Sequence, residues 1–120
     1  MRILGVTEHW PKLLELEFTT FRMRRRDRDW QVGEEVQVVY KPRSKEREVL
    51  GVAKIVEKEP KSFKLRDPEG NYINEQDARE DGFEGLAEME AWFYRTHGMR
   101  AFKEPINKLT LRWVDGKTRA

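Results

Sequence analysis

The chain contains no cysteine. That absence removes disulfides, thiolate zinc sites, iron–sulfur clusters and thiol nucleophiles together, and it fits a reducing compartment. Histidine is almost as scarce: His9 and His97 stand too far apart in sequence to make a metal-ligand pair, so neither a metal nor a cofactor is expected. No apolar run approaches the ~20 residues of a membrane span, and the N-terminus lacks a signal-peptide core. A soluble, cytoplasmic protein without a membrane partner is the expectation. The eight glycines form neither a phosphate-cradling loop nor a dinucleotide fingerprint. Ser44 and Ser62 lack the context of a nucleophile elbow. Nucleotide hydrolysis, Rossmann cofactors and serine-hydrolase chemistry are therefore not expected.

What the chain has in abundance is charge. Charged residues make up 38% of its 120 positions, against about 25% in an average globular domain, and the net charge is only +2. A chain of this length buries roughly two-thirds of its unfolded surface, enough for one domain over residues 1–120 with a densely ionic exterior. The charges are unevenly placed. Residues 1–66 carry 16 basic and 11 acidic side chains, a net +5, and residues 67–120 carry 8 and 11, a net −3. The positive focus is Arg22, Arg24, Arg25, Arg26 and Arg28, interrupted by Asp27. Such a block attracts polyanions and pairs with phosphate, unless nearby carboxylates neutralise it.

Hydrophobic periodicity predicts strands over residues 35–41 and 49–57, joined as an antiparallel hairpin through the basic loop Pro42–Arg47. Phe63 and Leu65 begin a further strand that ends in the turn signal Asp67-Pro68-Glu69-Gly70, with a hairpin return through Tyr72 and Ile73. Leu109, Leu111 and Trp113 alternate with polar residues as a half-buried strand. Asn74 caps a short helix over 75–81 that Gly82 stops, and a longer helix over 86–97 ends at Gly98. Pro11 suits the first position of a short N-terminal helix. Strands dominate and helices are inserted, which predicts an α+β chain built as a small, partly open β-barrel with flanking helices.

The segment Glu17-Phe18-Thr19-Thr20-Phe21-Arg22 carries the chemistry. As a strand it sets Thr20 and Arg22 on one face. A hydroxyl that gives and accepts a hydrogen bond then lies beside a planar donor fork, a pair suited to a carbonyl, a phosphate or a nucleobase edge. The same pair on an edge strand is equally a plain surface. Lys54 either faces a cleft or alternates outward, and Trp30 either stacks on a base or anchors the core. His97 lies at a helix C-terminus, which favours a positive imidazole. The run from Glu75 to Glu90 holds seven acidic residues and one arginine, a solvated helix face or a surface for a basic protein partner.

Three stretches appear in an order that resembles the ASCH domain family of the PUA-like superfamily: Thr19-Thr20-Phe21-Arg22, Trp30-Gln31-Val32-Gly33-Glu34-Glu35-Val36 and Asp77-Ala78-Arg79-Glu80-Asp81-Gly82-Phe83. The resemblance implies a PUA-like β-barrel with a cleft for RNA or a nucleotide-like ligand. Some small members of that family are amidohydrolases that deacylate acetylcytidine with a lysine, a threonine and an acid. On this chain the threonine position falls on Thr20, the acid position near Asp81 and the lysine position on Glu17. A carboxylate there reverses the charge beside the nucleophile and replaces an amine base with a much weaker one. The resemblance thus leaves Thr20 and Arg22 as ligand contacts; with the charge pattern it gives the expectation of an RNA- or nucleotide-binding module, without catalysis, whose basic cleft adds Arg24, Arg25, Arg26, Arg28, Trp30 and Lys54. The alternatives are a hydrolase acting on an acylated or modified nucleoside, and a protein-interaction module.

Overall fold

The computed structural model describes residues 1–63 and 71–116. A five-stranded sheet curls into half a barrel and carries three α-helices. Its strands are β1 (Arg2–Val6), β2 (Glu17–Met23), β3 (Glu35–Tyr40), β4 (Glu48–Lys61) and β5 (Ile106–Gly116). In space they run β1-β3-β4-β5-β2. Only β1 and β3 pair in parallel; β3 with β4, β4 with β5, and β5 with β2 are antiparallel. The predicted hairpin is thus β3–β4, with a bulge at Val38/Val39. β5 lies between β4 and β2, and Leu109 and Leu111 are fully buried there.

β1 was not expected. Its alternation is only five residues long, and its partner β3 lies some thirty residues downstream, so no local turn announces the pairing. β4 also runs past the predicted end, to Lys61. The predicted turn at residues 67–70, together with Leu65, lies outside the described residues. Within them, Ser62 meets Tyr72 in a parallel bridge instead of the antiparallel pairing of a hairpin.

The helices follow their sequence signals closely. A 3-10 turn spans Pro11–Leu14 with proline at its start. Helix α1 (Glu75–Asp81) opens on a capping box in which Asn74 and Asp77 exchange backbone and side-chain hydrogen bonds, and Gly82 closes it in the left-handed region at φ 116°. Helix α2 (Leu86–His97) buries Met89 and Phe93, and a single turn, α3 (Arg100–Lys103), precedes β5.

Two apolar clusters result. One fills the concave sheet with Leu4, Val36, Ile55, Leu111 and Trp113 among others. The other, including Phe21, Phe63, Met89 and Phe93, holds the helices to the β2 and β5 end of the sheet. The barrel does not close, because β1 and β2 are the two outer strands and neither pairs with the other. Among the described residues no helix is long and apolar enough to cross a membrane.

Candidate functional site

The gap between the two outer strands is where the cleft forms. A cavity of about 570 Å³ is lined from β1 by Gly5 and Val6, from the segment before the 3-10 turn by Trp10, from β2 by Thr20 and Arg22, and from α1 by Asp81. Its volume falls in the range of small-molecule sites. Phe83 and Trp92 form an aromatic wall, with ring centroids 6.0 Å apart, and Trp92 meets Phe93 edge-on at 5.0 Å. Three residues singled out from sequence, Thr20, Arg22 and Asp81, therefore converge on one hollow.

The floor is polar. Thr20 is only 3% exposed, yet its hydroxyl has no hydrogen-bond partner among the described residues. The Arg22 Nη2 donates to the Gly5 carbonyl at 2.8 Å, so the guanidinium on β2 reaches across the open seam to β1. Burial pulls the Arg22 pKa down, and Asp81 partly offsets this. Arg22 remains charged at any physiological pH.

Lys12 is the residue that sequence reasoning missed. It sits in the 3-10 turn, and its Nζ donates to the Asp81 Oδ1 at 2.5 Å, the Asp81 carbonyl at 2.7 Å and the Thr19 carbonyl at 2.8 Å. Burial lowers its pKa while Asp81 raises it, and the net direction is down. Three acceptors nevertheless surround one nitrogen, which accounts for all three protons of an ammonium. The only local signal was a lysine immediately after Pro11, and nothing in the sequence linked it to an aspartate 69 positions away.

Glu17 does not take the lysine's place in the cleft. It stands at the start of β2 and pairs with Arg112 on the neighbouring strand at 2.5 Å. A lysine does line the cavity together with Thr20, but it is Lys12, from the 3-10 turn.

The arginine block lies mostly elsewhere. β2 ends at Met23, and Arg24, Arg26 and Arg28 line neither this cavity nor its neighbour. Their loop is anchored: Arg2 binds both carboxylate oxygens of Glu34 at 2.6 Å and also reaches the Arg28 and Asp29 carbonyls. Arg28 is 3.5 Å from Glu34. Arg25 pairs with Asp27 at 3.1 Å and holds its carboxyl down to about 2. Part of the block's charge is therefore met within its own loop.

Trp30 is 4% exposed and belongs to the sheet cluster, with the Arg2 guanidinium 4.5 Å from its ring centroid and that of Arg25 at 5.6 Å. That placement fits the anchoring role. Lys54 points outward from β4, opposite Glu35 and Arg112, as ordinary alternation would have it. His9 stacks on Tyr40 with centroids 3.9 Å apart and meets Glu48 at 3.1 Å. His97 lies against Trp92 and Phe93, and its pKa moves down, first through burial and then through Arg100 and Arg22. The helix end does not win there. In the acidic run, Asp77 and Asp81 turn inward, so the segment does not present one continuous negative face.

Among the described residues no three His, Asp or Glu side chains gather as a metal site. The cleft offers a free hydroxyl, a guanidinium with unused donors, an ammonium–carboxylate pair and aromatic walls. Such a set receives a planar, polar molecule edge-first. No family model matches the chain, and comparison with curated proteins and with solved structures gave no match.

Proposed function

We propose that the protein binds a nucleoside- or nucleotide-like ligand in the cleft between β1, β2, α1 and α2, without catalysing a reaction. The observation that carries this reading is the Thr20 hydroxyl, without a protein partner among the described residues, on the floor of an aromatic-walled cavity of about 570 Å³. A hydroxyl that opens on the cavity without a protein partner can give or accept one ligand hydrogen bond, worth about 1 kcal/mol net. The resemblance to the ASCH family supports the same ligand class and a PUA-like assignment for the half-barrel. The contained cleft favours a single nucleoside unit over an extended polyanion, because the exposed arginines 24, 26 and 28 stand apart from it.

The test is calorimetric titration with adenosine, cytidine, guanosine and uridine and their monophosphates. At least one should bind saturably, and Thr20→Ala should weaken it about fivefold to tenfold, the worth of one hydrogen bond. No saturable binding by any of the eight overturns the reading.

One observation favours a second reading, hydrolysis of an acylated nucleoside. Lys12, Thr20 and Asp81 share the cleft, which supplies the amine that Glu17 does not. For Lys12 to take the Thr20 proton it must first lose one of its own and give up a hydrogen bond to Asp81 or to a backbone carbonyl. Binding alone therefore fits the resting geometry better. Release of acetate from N4-acetylcytidine, lost in both Thr20→Ala and Lys12→Met, would establish the hydrolase instead.

A further inference from the structure

A second cleft of about 350 Å³ adjoins the first along the open seam. The two share Gly5, Phe21, Arg22, Trp92 and Phe93, so Arg22 stands in the wall between them. Their electrostatics differ. The first cleft sets Lys12, Arg22 and Arg95 against Glu8, Asp81 and Glu88, a balance of signs. The second is lined by Arg22, Arg25 and His97 and by no acidic residue.

We propose that this second cleft is the phosphate subsite of a nucleotide whose base or sugar occupies the first. The inference rests on the binding reading above and specifies its ligand as a nucleoside monophosphate. Arg22 spends one of its five N–H groups on the Gly5 carbonyl, and among the described residues the others have no hydrogen-bond partner. Arg25 lines the same cleft. It pairs with Asp27 through two hydrogen bonds, but the contact is solvent-exposed, the two side chains 42% and 65% exposed, and a phosphate dianion competes with it for the same donors. Trp30 also lines this cleft, and its indole Nε1 is buried without an acceptor. His97 adds a ring N–H at the end of α2. An anion here meets the Arg22, Arg25 and His97 donors and no carboxylate among the lining residues, while in the first cleft three acids offset the three bases.

The experiment measures the affinities of the nucleosides and their 5′-monophosphates for the wild-type chain, Arg25→Ala and Arg25→Lys by calorimetry, with inorganic phosphate as a competitor. The preferred monophosphate should bind about tenfold or more tightly than its nucleoside, the worth of one charge-assisted hydrogen bond. That ratio should shrink severalfold in Arg25→Ala and partly recover in Arg25→Lys, and phosphate should compete with the monophosphate but not with the nucleoside. Equal affinities for nucleoside and monophosphate overturn the subsite and leave the binding reading standing. Binding of phosphate without any preference for a nucleoside overturns the binding reading and, with it, the subsite's place beside a base. A single-stranded RNA hexamer that binds as well as the monophosphate shows that the phosphate comes from a polymer, and one that does not bind shows that it comes from a free nucleotide. Either result upholds the subsite, and the first overturns the free monophosphate as its ligand.

Discussion

Asp77 gathers two lysines and a helix cap outside the cleft. Its carboxylate accepts from Lys61 at 2.5 Å and Lys108 at 2.7 Å, and it also takes the Asn74 backbone N–H that begins α1. Burial, the largest single influence, pushes its pKa up, but the hydrogen bonds from Lys108, Lys61 and the Asn74 backbone together with the Lys108 charge bring the net direction down. Asp77→Asn leaves Lys61, itself 7% exposed, buried without its counter-charge. The expected cost is about 3–5 kcal/mol in urea unfolding at neutral pH. Because the folded carboxyl titrates below its unfolded value, its contribution is complete above the ordinary carboxylate range and fades as pH falls through the lower, folded pKa. The wild-type advantage over Asp77→Asn should therefore shrink in acid, and a gap constant from neutral pH to pH 2 would refute the account.

Thr20 and Arg22 show how far single residues were legible. Strand alternation alone placed them on one face, and the structure sets them in one hollow with Asp81. Lys12 was invisible for the opposite reason. A long, unbranched side chain reaches acceptors several ångströms from its backbone, and no periodicity records where it ends. Glu17 was placed by alignment to a motif, and a neighbouring-strand arginine decided its true partner.

At the scale of elements, the junction between α1 and the 3-10 turn forms one wall of the cleft. Gly82 ends α1 at a positive φ, and a Cβ there would stand 2.8 Å from the Trp10 ring. Gly82→Ala combines backbone strain of about 1 kcal/mol with displacement of a cleft wall. A loss of stability of about 1–2 kcal/mol is expected by chemical denaturation, together with weaker ligand binding. Unchanged binding in a destabilised variant would show that Trp10 is not part of the recognition surface.

Elements with local signals were readable and those with distant partners were not. Asn74 and Gly82 marked α1 to the residue, because capping and left-handed termination are written in the sequence beside the helix. The β3–β4 hairpin followed from adjacency. β1 depends on β3 across two intervening elements, and α3 is a single turn of four residues, so neither carries a pattern that stands above composition.

For the molecule as a whole, the two apolar clusters meet along the cleft: Phe18 belongs to the one under the sheet, and Phe21 and Phe93 to the one under the helices. A ligand seated there touches both. At a hundredfold excess over Kd it should raise the unfolding free energy by about 2.7 kcal/mol in a single cooperative transition, which a thermal-shift series reads directly. Salt dependence gives a separate test. Recognition of one phosphate predicts a shallow dependence of log K on log salt, with a slope near ~1 in magnitude, whereas engagement of the whole arginine block predicts a slope several times steeper.

The arch formed by the sheet lacks a keystone. Its two outermost courses face each other across a space that Arg22 crosses with a hydrogen bond to Gly5. A guest resting against both courses completes the masonry, and the N-terminal strand, whose only strand partner among the described residues is β3, gains a further support. Backbone amides of residues 3–6 should then exchange with deuterium more slowly in the loaded protein than in the empty one, making the start of the chain a gauge of occupancy.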